Sequence, residues 1–156
     1  MPIHHRSLFL TIYSLLEHNL IWLCEIVNRD ELEKFLKKQH PNLKEAESTI
    51  EKTKYWLNQN KINIPKKLVS WKNLKNYRYI RNSIVHNDAT IEWPDNSQIK
   101  ENFSKFIETE SKIEIDINGK IIVSNDGLLI FLKSIKAFFK EIKKPMQQWA
   151  EKQDQS

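Results

Sequence analysis

The segment KKLVSWKNLKNYRYIRNSIVH, residues 66–86, has the composition of one uninterrupted helix. Pro65 precedes it at a position that suits the first turn of a helix, and no helix breaker follows before Asn87-Asp88. On a helical wheel with about 100° per residue, its later turns separate into an apolar arc and a polar arc. The apolar arc contains Leu74, Tyr77, Ile80, Ile84 and Val85. The segment therefore predicts a long helix that packs against other protein along one side.

Arg81 interrupts this apolar arc near its middle. An unpaired buried charge loses several kcal/mol of hydration, so something must compensate it. One explanation is a structural ion pair, for which Glu17 is the best candidate, and another is a side chain that extends to solvent. A third is a cleft or a subunit interface where a phosphate supplies the countercharge, because guanidinium binds phosphate bidentately. The wheel leaves all three explanations open.

The remainder of the chain also has mostly helical periodicity. Apolar residues recur every three to four positions over 7–27, which predicts a long, central first helix. Further helices are predicted over 30–38, 42–58 and 97–109. A last helix is expected from Ser124 or Asn125 to Lys144, where Pro145 would kink or end it. Tryptophans 22, 56 and 149 are interpreted as packing residues.

One short region departs from the helical pattern. In 112–117 and 120–124 the β-branched residues cluster or alternate around Asn118-Gly119, a pair that favours a type I′ hairpin turn. The predicted fold class is therefore all-α, with a β-hairpin inserted before the last helix. We expect a single domain over residues 1–150, followed by a frayed tail over 151–156.

Composition excludes several classes of protein. The chain has 156 residues and only two glycines, which leaves no P-loop and no Rossmann fingerprint. Its single cysteine, Cys24, excludes an intramolecular disulfide and a multi-cysteine zinc site, which fits a reducing compartment such as the cytoplasm. No run approaches the ~20 apolar residues of a spanning helix, so we expect no membrane association. The net charge of +5 favours an anionic partner, of which nucleic acid is the leading candidate.

The motif Arg81-Asn82-Ser83-Ile84-Val85-His86 resembles the signature of the HEPN superfamily, in which an arginine and a polar residue precede a histidine. In that family the motif lies near the end of a long helix in a small all-α bundle. The resemblance implies a metal-independent endoribonuclease, used as a toxin or in defence against phage, with an antitoxin or defence-complex partner. Many HEPN members lack catalysis, so the alternative is a non-catalytic module that binds RNA, nucleotide or a partner protein.

The motif residues match the chemistry of RNA cleavage without a metal. That reaction needs a base for the 2′-OH, an acid for the 5′-oxygen and positive charge on the phosphorane. His86 can move protons, Arg81 can supply charge, and Asn82 can orient His86 or donate to a phosphate oxygen. One histidine cannot easily be base and acid at once. We therefore predict a homodimer whose two-fold axis brings a second Arg81 and His86 into a composite site.

The polar arc of the same helix predicts an RNA-binding surface. Lys72, Lys75 and Arg78 would follow the backbone of a single strand while Tyr79 stacks on a base. Lys66 and Lys67 extend this basic run, and Trp71 and Tyr77, which lie between its members, are assigned to the core. The alternative is a solvated lysine face with Tyr79 as a packing residue.

Two residues of the first helix are candidates for supporting roles. Glu17 is either a structural partner of Arg81 or a carboxylate of the site, and His18 is an alternative second histidine. The histidines at 4, 5 and 40 have no second ligand three or four positions away, so no metal and no cofactor are expected.

Overall fold

The computed structural model of the protein describes residues 2–37, 48–65 and 68–155. The described elements are helix α1 (Pro2–Lys37), α2 (Thr49–Gln59), α3 (Val69–His86), α4 (Ser97–Thr109), strands β1 (Ile113–Ile115) and β2 (Ile121–Val123), and helix α5 (Asn125–Asp154). This confirms the all-α class and the hairpin before the last helix. Residues 42–47 of the predicted third segment, with Lys66, Lys67 and His40, lie outside the described residues.

Helix α1 contains a break at Asn28. This residue has an extended backbone (φ −165°, ψ 92°), and its Oδ1 accepts a hydrogen bond from the Glu31 N–H at 3.2 Å. An asparagine side chain that accepts from a backbone N–H three residues later is typical of an N-cap. The element therefore consists of two helices, as the separate patterns over 7–27 and 30–38 predict.

Helix α1 is more exposed than its apolar composition suggests. Residues 4–35 are long and apolar enough to cross a membrane by length and composition alone, and 33% of the apolar window is buried. Core helices of soluble proteins pass the same test, so the absence of membrane association stays a prediction. The structure corrects one packing assignment, because Trp22 is 58% exposed whereas Trp56 is buried.

The hairpin has a different turn from the one predicted. Ile113 pairs with Val123 and Ile115 with Ile121, so the register leaves three residues, 117–119, between Asp116 and Lys120. A type I′ turn needs positive φ at both central residues, whereas only Gly119 has it here (φ 75°). The Asp116 side chain explains the longer loop, because its Oδ1 accepts the N–H groups of Asn118 and Lys120, each at 2.8 Å.

Helix α5 begins where the sequence predicts and ends later. Ser124 caps it, since its Oγ accepts the Gly127 N–H at 3.0 Å. The helix continues through Pro145 to Asp154, so most of the tail expected to fray is helical in this structure. Leu129 and Leu132, which the wheel assigns to the buried face, are about half exposed.

The chain divides into two compact units, and the first consists of residues 1–14 and 69–138. Its core is aromatic: the Phe131 ring centroid lies 4.8 Å from that of Phe9 and 4.2 Å from that of Tyr77. Phe106 meets Tyr77 edge-on at 5.0 Å. Burial raises the pKa of Tyr77 to about 12. These contacts fix the middle of α3, and the last turn of α3 carries the predicted motif.

The second unit consists of residues 15–68 and 139–156. Trp56 is central to it, because its Nε1 donates to the Cys24 carbonyl oxygen at 3.1 Å and its ring lies 4.7 Å from that of Phe35. Burial raises the pKa of the Cys24 thiol to about 11, which fits an inert, buried cysteine. The expectation of a single domain over 1–150 stays a prediction.

Candidate functional site

The three predicted catalytic side chains meet at the C-terminal end of α3. Arg81 Nη1 donates to Asn82 Oδ1 at 3.1 Å and lies 3.4 Å from His86 Nε2. A guanidinium can only donate, so this contact is a hydrogen bond in the neutral tautomer of His86 whose ring proton is on Nδ1.

Arg81 is less buried than the helical wheel predicts. Leu74, Tyr77 and Ile80 are buried, but in the last turn of α3 Ile84 is half-buried and Val85 is 45% exposed. The buried face turns instead towards Ser83, whose exposure is 0%. Arg81 therefore lies half-buried at the surface, beside two apolar side chains that the first unit leaves partly uncovered.

The described part of the chain gives Arg81 no local ion pair, and its half-buried position fits both a side chain that extends to solvent and a site open to a phosphate. Among the described residues of the first unit, no carboxylate lies within ion-pair distance of this guanidinium. Glu17 is half-buried and His18 exposed, and both belong to the second unit. The pairing of Glu17 with Arg81 and the supporting role of His18 stay predictions.

Ser83 holds the segment that follows the motif against α3. Its Oγ donates to the Tyr79 carbonyl oxygen at 2.8 Å and accepts the Glu92 N–H at 2.9 Å. Its carbonyl oxygen accepts the Ala89 N–H at 2.9 Å. Asp88 and Ala89 have left-handed backbones (φ 49° and 60°), which reverse the chain directly after His86. This small buried hydroxyl therefore fixes both the end of the helix and the path of the next loop.

The hairpin supports the same loop from its other side. The Ile121 N–H donates to the Ala89 carbonyl oxygen and the Ile91 N–H to that of Gly119, both at 2.8 Å. Lys120 Nζ lies 2.8 Å from Asp88 Oδ2, and this contact lowers the pKa of the Asp88 carboxyl. The sequence predicts the hairpin but not this partner, because nothing in a local pattern shows which distant backbone a strand will meet.

Replacing Ser83 with alanine is expected to lower the free energy of unfolding by about 1–2 kcal/mol, because it leaves the Glu92 N–H without its acceptor. Chemical denaturation followed by circular dichroism measures this change. Ser104→Ala is the matched control: that hydroxyl only contacts Glu108 on the exposed side of α4, and its loss should cost about 0.5 kcal/mol or less. Equal effects of the two substitutions would contradict the anchoring role of Ser83.

A groove of about 310 Å³ opens beside Asn82. Residues of the loop and of α4 line it, together with the predicted RNA-binding residues Arg78 and Tyr79. We call this surface the loop groove; its lining residues are Arg78, Tyr79, Asn82, Glu92, Trp93, Pro94, Asp95, Asn96 and Ile99. Lys72 is exposed and Lys75 is half-buried, and both lie outside this lining.

Two aromatic rings in the loop groove rest on one buried side chain. The ring centroid of Phe103 lies 5.2 Å from that of Tyr79 and 5.7 Å from that of Trp93. Arg78 and Lys100 place their cations 5.9 Å from the ring centres of Tyr79 and Trp93, respectively. Sequence reasoning missed residues 92–96, because a loop has no periodicity; its only signal was a tryptophan among turn-forming residues.

Comparison with protein-family models finds no match, and comparisons with curated proteins and with solved structures find none either. The similarity to the HEPN signature therefore remains a hypothesis that depends on the motif and its place on α3. Within the described residues, no group of three histidine, cysteine, aspartate or glutamate side chains is placed to hold a metal ion.

Proposed function

We propose that this protein is a metal-independent endoribonuclease of the HEPN type, built as a small HEPN-like helical bundle and active as a homodimer. The observation that carries the proposal is the direct contact of Arg81 with both Asn82 and His86 at an accessible helix end. These are the residue types that the reaction needs, and half-buried Arg81 and exposed His86 are within reach of an RNA phosphate.

The proposed reaction is an attack of the RNA 2′-oxygen on the adjacent phosphorus. His86 Nε2 exchanges its contact with Arg81 for the 2′-OH and accepts the 2′-OH proton, the O2′–P bond forms and the P–O5′ bond breaks. The Arg81 guanidinium stabilises the extra negative charge on the phosphorane oxygens, while Asn82 Oδ1 fixes the guanidinium orientation. The products are a 2′,3′-cyclic phosphate and a 5′-hydroxyl.

The leaving 5′-oxygen needs a proton, and one His86 cannot supply it in the same step in which it acts as base. The homodimer solves this, because the partner's His86 in its protonated form can be the acid. Val85 is 45% exposed and Ile84 half-buried in the same helical turn as the motif. These apolar side chains give a second copy a contact surface beside the catalytic residues.

The cellular setting belongs to the same proposal. A ribonuclease of this kind would act in the cytoplasm as a toxin or in defence against phage. An unrestrained ribonuclease damages its own cell, so an antitoxin or a defence-complex partner is expected with it. The net charge of +5 supports a nucleic acid substrate without selecting a particular RNA.

The test uses the purified chain and a single-stranded RNA, with and without EDTA. We expect equal cleavage in both, fragments ending in a 2′,3′-cyclic phosphate, and no cleavage where the 2′-OH is replaced by hydrogen. Loss of cleavage in EDTA, or cleavage of the 2′-deoxy position, would contradict the proposed chemistry. If the protein binds the RNA and leaves it intact, the non-catalytic HEPN module is the better description.

A further inference from the structure

We propose that the loop groove is a base-recognition subsite that takes a guanine of the bound RNA. This rests on the proposed function, because Asn82 belongs both to the catalytic cluster and to the groove lining. A volume of about 310 Å³ lies at the small end of the range for ligand pockets. It suits one base rather than a longer segment.

The walls of the loop groove offer a base two flat surfaces. Trp93 is 36% exposed and Tyr79 half-buried, so each ring presents part of itself to the groove that both line. Their shared contact with buried Phe103 limits how far either ring can turn. Unpaired bases bind proteins by stacking on such rings, a contact that every base can make. Stacking therefore provides affinity, and selectivity must come from the polar groups.

The two carboxylates in the loop groove disfavour a phosphate of the RNA backbone and favour a base. Glu92 and Asp95 both line it, and two carboxylates repel a phosphate. Glu92 is held in place because Asn87 Nδ2 donates to its Oε2 at 3.3 Å. Two cations lie beside the aromatic rings: Arg78, which also lines the groove, and Lys100, which does not. From there they can contact the phosphates that flank an inserted base.

The carboxylates select among the four bases by their hydrogen-bonding needs. An ionised carboxylate only accepts and has two oxygens, so it pairs best with two adjacent donors. Guanine alone has two neighbouring donor groups, N1–H and N2–H₂, on its Watson–Crick edge. Uracil has one N–H there, and adenine and cytosine each have one amino group beside a ring nitrogen that accepts.

Two amides in the loop groove complement the other side of guanine. Asn82 Oδ1 accepts from Arg81, which leaves its amide nitrogen as a donor. Asn96 Oδ1 accepts the Ile99 N–H at 3.1 Å as the cap of α4, which likewise leaves its amide nitrogen. Guanine carries two acceptors, O6 and N7, for such donors. A guanine bound here would also contact Asn82, the residue that orients the catalytic guanidinium.

The test measures binding without cleavage. Fluorescein-labelled oligouridines with 2′-O-methyl groups, which cannot be cut by 2′-OH attack, carry one central guanosine, inosine, adenosine or uridine. Anisotropy titrations are expected to show about tenfold tighter binding for guanosine than for uridine. The oligonucleotide with inosine, which lacks the N2 amino group, should bind about fivefold more weakly than the one with guanosine.

Because Glu92 Oε2 already accepts from Asn87, Asp95 is the carboxylate assigned to the guanine pair. Asp95→Asn is expected to remove the difference between guanosine and inosine, because the amide has only one accepting oxygen. Asp95 is exposed, so the fold should tolerate this change. Glu101→Gln, an exposed neighbour on α4 outside the groove lining, is the charge-matched control and should retain the preference. Equal affinity of the wild type for all four oligonucleotides, or an unchanged preference in Asp95→Asn, would overturn the guanine subsite.

These titrations, together with the cleavage assay on unmodified RNA, separate the two proposals. A guanosine preference in a protein that cuts no RNA would overturn the ribonuclease and leave the subsite standing. Cleavage of unmodified RNA together with equal affinity for all four oligonucleotides would overturn the subsite alone.

Discussion

Replacement of His86 by alanine is expected to lower the rate of RNA cleavage by between about 10² and 10⁴-fold, the usual contribution of a general acid or base. A composite site makes the larger value the better expectation, because one substitution removes the proton donor and the proton acceptor together. Arg81→Ala is expected to cost about 10² to 10³-fold, through the lost charge on the phosphorane. Initial rates on one defined RNA, with cyclic phosphate ends quantified, measure both effects.

Both substitutions should leave the fold intact, which makes the result interpretable. His86 is exposed and Arg81 half-buried, and their side chains contact each other and Asn82. The free energy of unfolding is therefore expected to change by about 0.5 kcal/mol or less. A folded His86→Ala protein that cuts RNA at the wild-type rate would show that the cleaving histidine is elsewhere.

Two further variants sharpen the comparison. Arg81→Lys retains the positive charge and removes the planar guanidinium that contacts Asn82 and His86. Its cleavage rate is therefore expected to lie between those of the wild type and Arg81→Ala. His18→Ala removes an exposed histidine of α1, the alternative acid, and should leave the rate unchanged if the partner's His86 is the proton donor. A loss in His18→Ala comparable with that in His86→Ala would assign the acid role to His18 and contradict the symmetric pair.

Much of α3 follows from local sequence. Its end at His86, where Asn87-Asp88 would stop a helix, and the bounds of α4 are as predicted, because caps and breakers act over a few residues. The proximity of Asn82 and His86 follows from helical spacing alone. The contact of Arg81 with both was not foreseen, because a wheel places Cα positions and a long side chain can extend to the neighbouring arc.

The features that local sequence could not show depend on contacts between distant segments. No pattern in the motif predicts that Ser83 is buried. It is buried because the following loop packs over it and the Glu92 N–H donates to its hydroxyl. Val85 looks like a core residue, yet nothing in the first unit covers it fully. The three-residue turn depends on the Asp116 side chain rather than on the Asn118-Gly119 pair that suggested a shorter one.

A lysine at position 85 is expected to separate the homodimer and to lower cleavage by more than about a hundredfold at submicromolar protein. Val85 is in the same turn as Arg81 and near the proposed two-fold axis, so its substitution places two new cations opposite each other. Lysine is a good helix former, and the site is 45% exposed, so the monomer should fold. The added positive charge does not repel RNA, which excludes weaker electrostatic attraction as the cause of the loss.

Ile117→Lys is the matched control, because Ile117 is 100% exposed at the hairpin turn and should affect neither assembly nor cleavage. The decisive measurement mixes Val85→Lys with Val85→Asp. Each alone repels its own copy, whereas the mixture pairs opposite charges across the axis and should regain both the dimer mass in light scattering and the cleavage activity. Full activity of monomeric Val85→Lys would place a complete site within one chain. Failure of the mixture to assemble would move the interface away from the end of α3.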